Sequence, residues 1–389
     1  MQLSTRRENT MKKFAAFFLY LMLLFSLTAC GADIIPDDDA PVVTPPAPEN
    51  ADAGVSITPS GSGDVGADVS MAPSGSESAG TGVSTAPGGK DMVSGESTEQ
   101  AGSVVYFTAD ISPEGLMRVY EALGWTPTGK VAVKLSTGEP PASNYLSPEL
   151  IGDLVQSVNG TIVECNTAYG GSRAETAMHM QVAEDHGFTA IADVDILDAE
   201  GSVQLEVDGG NYLETNYVGS HFTDYDSYII LSHFKGHAMA GFGGATKNIS
   251  IGLGSQEGKC LIHTGGKSHT SPWGGDQTAF TESMAEAGKS VSDYLGNGEN
   301  IIYISVLNNI SIDCDCNGNP AEPDIHDIGI LASMDPVAID QAAIDLCFAA
   351  EGSESLKQRV ERQDGLHTLE HAEEIGLGSR TYELVNIDE

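Results

Sequence analysis

The sequence predicts an α/β fold with a largely parallel or mixed sheet that is flanked by helices and includes an antiparallel portion. From Val104 onward, short runs rich in β-branched and aromatic residues alternate with segments of helical periodicity. Between residues 188 and 232, several strand-like runs follow one another, which indicates the antiparallel portion or an edge. Strands separated by helices are typical of a parallel sheet with covered faces.

The first half of the pattern places strands at VVYFTA, KVAVKLS and TIVECN. Helices are expected near residues 113–123 and 147–158, and a third from Ser172 to His186 with Ser172 as its N-cap. The run of strands that follows comprises FTAIADVDI, VQLEV, YLETNYV and YIILSH. These segments make up the first half of the predicted α/β domain.

The second half contains a helix near residues 278–294, the strand NIIYISVLNN and the buried strand DIGILAS. Asp335 and Pro336 then open a helix, with an N-cap and a first-turn proline in their favoured places. Asp340 and Asp345 are expected to solvate the same helix.

The N-terminus, residues 1–30, has the pattern of a lipoprotein signal peptide. An apolar run from Phe14 to Ala29 ends in Leu-Thr-Ala-Cys, which resembles the bacterial lipobox and implies a lipid on Cys30. Either Met1 or Met11 can be the true start. The apolar run is shorter than the ~20 residues that a spanning helix needs. We therefore expect a lipid-anchored protein on the extracytoplasmic face of the cell membrane, with the membrane as a partner.

Residues 31–103 are rich in Gly, Ser, Pro and Asp and include a repeat at positions 55, 69 and 83. Such a segment cannot bury enough apolar surface to fold, so it is predicted to be a disordered tether. Residues 104–389 remain as one α/β domain. The net charge of −38, with only 18 Lys and Arg, excludes a nucleic-acid partner, because phosphate backbones require a basic surface.

The segment from 231 to 263 carries the candidate ligand site, directly after an apolar strand. Lysine side chains beside glycine-rich backbone are suited to a small anionic ligand, whose identity stays open. The candidate ligand-binding residues are Lys235, Gly243, Gly244, Lys247 and Asn248. The glycines form neither a Walker loop nor a dinucleotide fingerprint, so nucleotide binding has weak support.

Cys314 and Cys316 are the candidate metal ligands. Two cysteines at this spacing close too small a ring for an easy disulfide, and in extended backbone both point to one face. Zinc or iron needs further donors, for which the candidates are His233, His237 and His263, with Cys260 in reserve. A free or mutually oxidised pair is the alternative. Single histidines at 221, 269, 367 and 371 are expected to be exposed.

Three segments resemble one family: SHFKGHAMAGFGGATKN, GKCLIH and ISIDCDCNGNPAEPDIHDIGILASMDPVAIDQAAIDL. They are similar to bacterial and archaeal proteins that carry domain of unknown function 362 (DUF362), often labelled iron-sulfur center proteins. The resemblance covers about residues 104–389. Many relatives have a ferredoxin module inserted after the GKCLIH segment, but here HTSPWGGDQTAFTESMAEAGKSV follows without a cysteine. No ferredoxin-type cysteine motif is therefore available for an iron-sulfur cluster.

The resemblance implies the domain and no reaction. The sequence thus predicts an exported, lipid-anchored protein whose α/β domain binds a metal or a metal-dependent ligand. Two alternatives stay open. One is a redox or group-transfer enzyme, and the other is a metal-free binding protein for a small anionic ligand.

Overall fold

The computed structural model describes residues 102–388, so the predicted signal peptide, Cys30 and all but the end of the predicted tether lie outside the described residues. The strands are β1 (Ser103–Thr108), β2 (Val131–Lys134), β3 (Thr161–Glu164), β4 (Val194–Ile196), β5 (Ser202–Glu206), β6 (Thr215–Gly219), β7 (Ser227–His233), β8 (Lys235–His237), β9 (Gly241–Gly243), β10 (Ile301–Leu307), β11 (Gly329–Ser333) and β12 (Tyr382–Asn386). The helices are α1 (Pro113–Ala122), α2 (Pro148–Ser157), α3 (Thr176–Asp185), α4 (Ala245–Ser250), α5 (Gln256–Thr264), α6 (Gln277–Tyr294), α7 (Pro336–Ala349), α8 (Glu354–Arg362) and α9 (His367–Glu374).

The main sheet has the strand order β12-β1-β11-β10-β7-β2-β3-β4. The five strands from β10 to β4 are mutually parallel, whereas β11 is antiparallel to both of its neighbours. The predicted α/β class is therefore confirmed. The antiparallel portion expected between 188 and 232 is the separate β5–β6 hairpin, and β8 and β9 form another. The antiparallel β11 follows β10 without an intervening helix, as antiparallel pairing permits.

Helices cover both faces of the sheet. Because successive side chains of a strand point to opposite faces, β7 sends Ile229 and Leu231 into one core cluster and Tyr228 and Ile230 into the other. Helices α1 and α2 pack in the first cluster, and α4, α6, α7, α8 and α9 pack in the second. Ser112, Ser147 and Asp335 accept hydrogen bonds from backbone amides as N-caps of α1, α2 and α7.

Helix α3 begins at Thr176, so the prediction of Ser172 as its N-cap is wrong. The cause is a tertiary contact, because the Ser172 amide donates to Glu139 Oε1 at 2.5 Å. Residues Phe188–Ala190 form a short 3₁₀ helix with Phe188 fully buried, where a strand was expected. No helix within residues 102–388 is both long and apolar enough to cross a membrane.

Asp340 is fully buried and does not solvate α7 as predicted. Its carboxylate accepts the amides of Ala245 and Thr246 at 2.7 and 2.8 Å, at the start of α4. Burial raises the pKa of Asp340 to about 6, although these hydrogen bonds act in the opposite direction. The contact ties α7 to α4.

Candidate functional site

The candidate site lies at the carboxyl ends of three neighbouring parallel strands. Lys134 ends β2, Glu164 ends β3 and His233 ends β7. Parallel strands bring their carboxyl ends to one edge of the sheet, where α/β proteins bind ligands. Residues of α4, α5 and the Cys314–Cys316 segment line the rest of the cleft. The cleft has a volume of about 80 Å³, which is enough to hold a small ligand or several waters.

The cleft is cationic although the protein is strongly acidic. Two carboxylates, of Glu164 and Asp315, face five cationic side chains. These are Lys134, Arg173, Lys235, Lys247 and Lys259. The sequence interpretation included only two of the five, Lys235 and Lys247.

A buried ion network forms the floor of the cleft. Lys134 Nζ donates to Glu164 Oε2 at 2.9 Å and to the Leu135 carbonyl at 2.7 Å, and Arg173 Nη1 donates to Glu164 Oε1 at 3.2 Å. Burial alone would raise the pKa of Glu164, but Lys134, His179 and Arg173 outweigh it and lower this pKa to about 2. Glu164 is therefore ionised, and its charge compensates part of the cationic floor.

The sequence itself contains a signal for this network. Lys134 and Glu164 interrupt the apolar strand runs KVAVKLS and TIVECN. Charged residues are rarely buried unless they are paired, so charges within buried strands indicate partners nearby.

His233 lies close to the cysteine segment, but both of its ring nitrogens already face oxygen atoms of the protein. Its Nδ1 lies 2.9 Å from Asp315 Oδ1, and its Nε2 lies 2.6 Å from the Asn308 carbonyl oxygen. Each ring nitrogen thus faces an oxygen acceptor, so its candidacy as a metal ligand does not fit this geometry. Lys235 Nζ also donates to Asp315. Burial would raise the pKa of Asp315, but Lys235 and His233 lower it, so the carboxylate anchors the segment between the two cysteines.

Cys314, Cys316 and His237 form a compact group. The two sulfurs and one ring nitrogen of His237 all lie within 4.8 Å of one another. A hydrogen bond from Cys314, with smaller contributions from Lys247 and His237, lowers the pKa of Cys316 well below its ordinary value despite burial. The same hydrogen bond and burial raise the pKa of Cys314. Of the two sulfurs, Cys316 is therefore the one that ionises more readily.

The hydrogen bonds of His237 determine its tautomer. Its Nδ1 accepts the backbone amides of Met239 and Ala240 at 3.2 and 2.9 Å. Burial lowers the pKa of His237 to about 4, so the ring is neutral and its proton lies on Nε2. In this state the ring donates to the sulfur of Cys316, and metal ligation through Nε2 would require a change of tautomer.

His263 has the opposite tautomer. Its Nδ1 donates to the Lys259 carbonyl at 2.7 Å, and burial lowers its pKa to about 4, so Nε2 carries a lone pair. The ring lines a second cavity of about 190 Å³ that also contacts Cys314 and Cys316. Cys260 is buried, and burial raises its pKa; within residues 102–388 it does not belong to the close thiol group.

The two candidate glycines differ in what surrounds them. A Cβ at Gly244 would lie 2.2 Å from Asp340 Oδ1, so glycine is required there by the protein itself. A Cβ at Gly243 would meet only Lys247 Cδ and Lys235 Cε, at 3.7 and 3.9 Å. Gly243 therefore leaves space between two lysines at the wall of the cleft.

Lys247 and Asn248 have different roles. Asn248 Oδ1 accepts Lys134 Nζ at 3.0 Å, and Nδ2 donates to Ser232 Oγ at 3.1 Å, so this side chain positions Lys134. The ammonium of Lys247 makes no hydrogen bond or ion pair with any residue between 102 and 388. It is the cation of the cleft with the most unused donors in the described part of the chain.

Two solved structures are similar to part of this chain. Comparison with solved structures found the lactate racemase apoprotein from Thermoanaerobacterium thermosaccharolyticum, at 13% identity, 64% coverage of this chain, 57% coverage of that chain and a TM-score of 0.38. A structural-genomics protein from Thermotoga maritima has 13% identity, coverages of 67% and 58%, and a TM-score of 0.34. The chain thus spans less than two thirds of the length of either protein.

Comparison with curated proteins found no match. The sequence model of a domain of unknown function, DUF362, matches residues 131–345. This match spans more than half of the 389 residues and includes the cleft and the cysteine pair. The chain therefore belongs to the DUF362 family.

Proposed function

We propose that the protein binds a small anionic ligand in the cationic cleft, beside a soft metal ion that is held by Cys314 and Cys316. The observation that supports this most is the presence of five cations and two carboxylates around one small cleft, in a chain of net charge −38. A folded acidic protein gains nothing from such a concentration of buried positive charge unless an anion compensates it.

The lysine donors define where the anion binds. Lys134 already donates to three oxygen atoms, whereas Lys259, which is only 3% exposed, makes one hydrogen bond to the Gly254 carbonyl. Lys247 has none with the described residues. The unused donors of Lys235, Lys247 and Lys259 therefore supply the hydrogen bonds to the ligand. The cleft volume favours a carboxylate or phosphate group over a nucleotide.

The metal is proposed on chemical grounds. Thiolates are strong ligands for soft and borderline cations such as zinc and iron(II). Two cysteines fill only part of the coordination sphere of such an ion, so further donors are needed. Both sulfurs contact the cavity that His263 lines, and this ring presents an unprotonated Nε2. A metal at this position would replace the proton that the two thiols share.

A second candidate function is a metal-free enzyme of redox or group-transfer type, with the Cys316 thiolate as the reactive group. It is favoured by His237, which accepts two backbone amides at Nδ1 and therefore donates to the thiolate through Nε2. Thiolate stabilisation by a neighbouring imidazole is how reactive cysteines are activated.

Metal analysis of anaerobically purified protein distinguishes the two candidates. The wild type, a Cys314→Ser, Cys316→Ser double variant and a Cys260→Ser control are compared by mass spectrometry of bound metal. Near-stoichiometric zinc or iron in wild type and control, and its loss in the double variant, would support the metal. Negligible metal in all three proteins would contradict it and favour the reactive thiolate.

Anion binding is tested separately by calorimetric titration with inorganic phosphate and with acetate. A Lys247→Gln variant should bind the preferred anion about tenfold more weakly, because one charge-assisted hydrogen bond is lost. Lys267, which is exposed, provides the matched Lys267→Gln control. Equal affinities in the two variants would refute the anion site whatever the metal content is.

The proposal also includes export and attachment to the membrane through a lipid on Cys30, supported by the Leu-Thr-Ala-Cys sequence after the apolar run. The acidic surface suits solubility outside the cell. Attachment would hold the cleft at the membrane surface on the extracytoplasmic side.

A further inference from the structure

A second cluster of potential metal ligands connects α6 and α9. Glu282 and Glu286 lie one helical turn apart on α6, and His371 approaches them from α9. His371 Nε2 is 3.4 Å from Glu286 Oε1 and 3.8 Å from Glu282 Oε2. The three ligand atoms lie within 4.8 Å of one another. The sequence interpretation expected His371 to be exposed, but only 3% of it is.

His371 Nε2 is unsatisfied. This nitrogen is buried and has no hydrogen-bond partner within residues 102–388, although it is aimed at two carboxylates. Glu286 is fully buried and Glu282 nearly so, with 12% of its side chain exposed. Buried polar atoms in folded proteins are almost always paired with protein, water or an ion. The unpaired Nε2 of His371 therefore indicates that a further group binds between these three side chains.

Outer contacts hold both carboxylates in place. Glu286 accepts the backbone amides of Asn211 and Leu213 at 2.6 and 2.8 Å. Glu282 accepts Asn211 Nδ2 at 2.7 Å and His367 Nε2 at 2.9 Å. In metal sites, ligating carboxylates are themselves oriented by such hydrogen bonds.

The other nitrogen of the histidine also faces an acid. His371 Nδ1 lies 3.6 Å from Glu374 Oε2 on the same helix. A carboxylate on the far side of a ligating imidazole favours the tautomer that has its lone pair directed at the metal. The arrangement around His371 is thus that of a histidine ligand.

We infer that Glu282, Glu286 and His371 bind one divalent cation such as Mn²⁺ or Zn²⁺. Ligand atoms that surround such an ion at about 2.1 Å are about 3.4 Å from each other in tetrahedral geometry, close to the distances seen here. Two carboxylates and one imidazole make a harder ligand set than the cysteine pair. The ion joins α6, α9 and, through Glu286, the segment at 211–213. This inference does not depend on the proposed function of the cleft.

The carboxylate–histidine cluster and the cysteine pair differ in ligand hardness, so the two proposed metal sites can be tested separately. Chelator-treated full-length protein is titrated with Mn²⁺, and bound ion is followed by electron paramagnetic resonance. We expect about one Mn²⁺ in the wild type and in the Cys314→Ser, Cys316→Ser variant, because manganese prefers oxygen and nitrogen ligands. Addition of Mn²⁺ should raise the melting temperature of both proteins, since it binds only the folded state.

Two variants remove a ligand. Glu282→Gln, at the partly exposed end, and His371→Gln should each bind Mn²⁺ at least about 10–100-fold more weakly, and Mn²⁺ should not raise their melting temperatures. Glu370→Gln is the control, because Glu370 lies exposed on the same helix and pairs with Arg380.

Absence of Mn²⁺ and Zn²⁺ binding in the wild type would overturn the inference and leave an ion pair of protonated His371 with the two glutamates. Loss of all ion binding in the cysteine double variant would also overturn it. An Mn²⁺ affinity of Glu282→Gln equal to that of the wild type would also overturn the inference. If the cleft binds no anion, the result at this cluster is unaffected.

Discussion

Replacing His179 by glutamine should make the protein less sensitive to acid. His179 is fully buried under the cleft, where Nε2 lies 3.0 Å from Thr137 Oγ1 and Nδ1 lies 3.3 Å from Asn166 Oδ1. Burial lowers the pKa of His179 from 6.5 to about 3, and the attraction of Glu164 only partly opposes this. A glutamine amide also offers one donor and one acceptor group, so the variant can keep both contacts without a titrating ring.

The direction of the pH effect on stability follows from whether the folded or the unfolded state takes up the proton. Between pH 6.5 and about 3 the unfolded chain binds a proton at His179 that the folded protein excludes, so stability is full above this window and falls as the pH decreases. At pH 5, which is roughly 1.5 units below the pKa of His179 in the unfolded chain, this proton uptake lowers the unfolding free energy by about 2 kcal/mol. His237 and His263, whose pKa values burial lowers to about 4, also contribute to acid sensitivity, but they are common to both proteins.

Urea unfolding followed by circular dichroism at pH 7 and at pH 5 measures this effect. The unfolding free energy of the wild type should decrease by about 2 kcal/mol more than that of His179→Gln. Met178→Gln is the control, because Met178 is 49% exposed, lies next to His179 and does not titrate. Equal pH dependence in wild type and His179→Gln would refute the reasoning that the ring stays neutral in the folded protein.

The remaining predictions concern the cleft and the N-terminus. Glu164→Gln should lower the unfolding free energy at pH 7 by about 3–5 kcal/mol, because Lys134 and Arg173 lose their shared carboxylate; a loss no larger than that of the exposed control Glu121→Gln would contradict this. Gly243→Ala should melt like the wild type yet bind phosphate or acetate more weakly, whereas Gly244→Ala should melt at a lower temperature because its Cβ would clash with Asp340; equal melting of the two variants would be inconsistent with the geometry. Intact-mass analysis of the membrane fraction should show a lipidated chain that begins at Cys30, and an unmodified chain that begins upstream would exclude the anchor.

The sequence by itself determined the fold class and the alternation of strands and helices. Periodicity and composition are local properties, so the strands around Lys134, Glu164 and His233 and the cap Asp335 are visible in the chain. Cys314 and Cys316 line the same two cavities, but Asp315 and Cys316 lie in a turn, so the extended backbone from which the sequence interpretation started is not what brings the sulfurs together. The segments at 231–263 and 311–320 carry the side chains that the sheet brings to one edge.

Only the tertiary structure decided which charges meet. The pairing of Glu164 with Lys134, the contact of the Ser172 amide with Glu139 and the burial of His371 against Glu286 join residues that are distant in the chain. The same holds for ring tautomers. Both ring nitrogens of His233 face oxygen atoms of Asp315 and Asn308. The Nδ1 of His237 accepts backbone amides, whereas the Nδ1 of His263 donates to a backbone carbonyl, so these two rings have opposite tautomers. Periodicity cannot report these contacts, because ion pairs and buried hydrogen bonds depend on the three-dimensional distance between groups and on the exclusion of water around them.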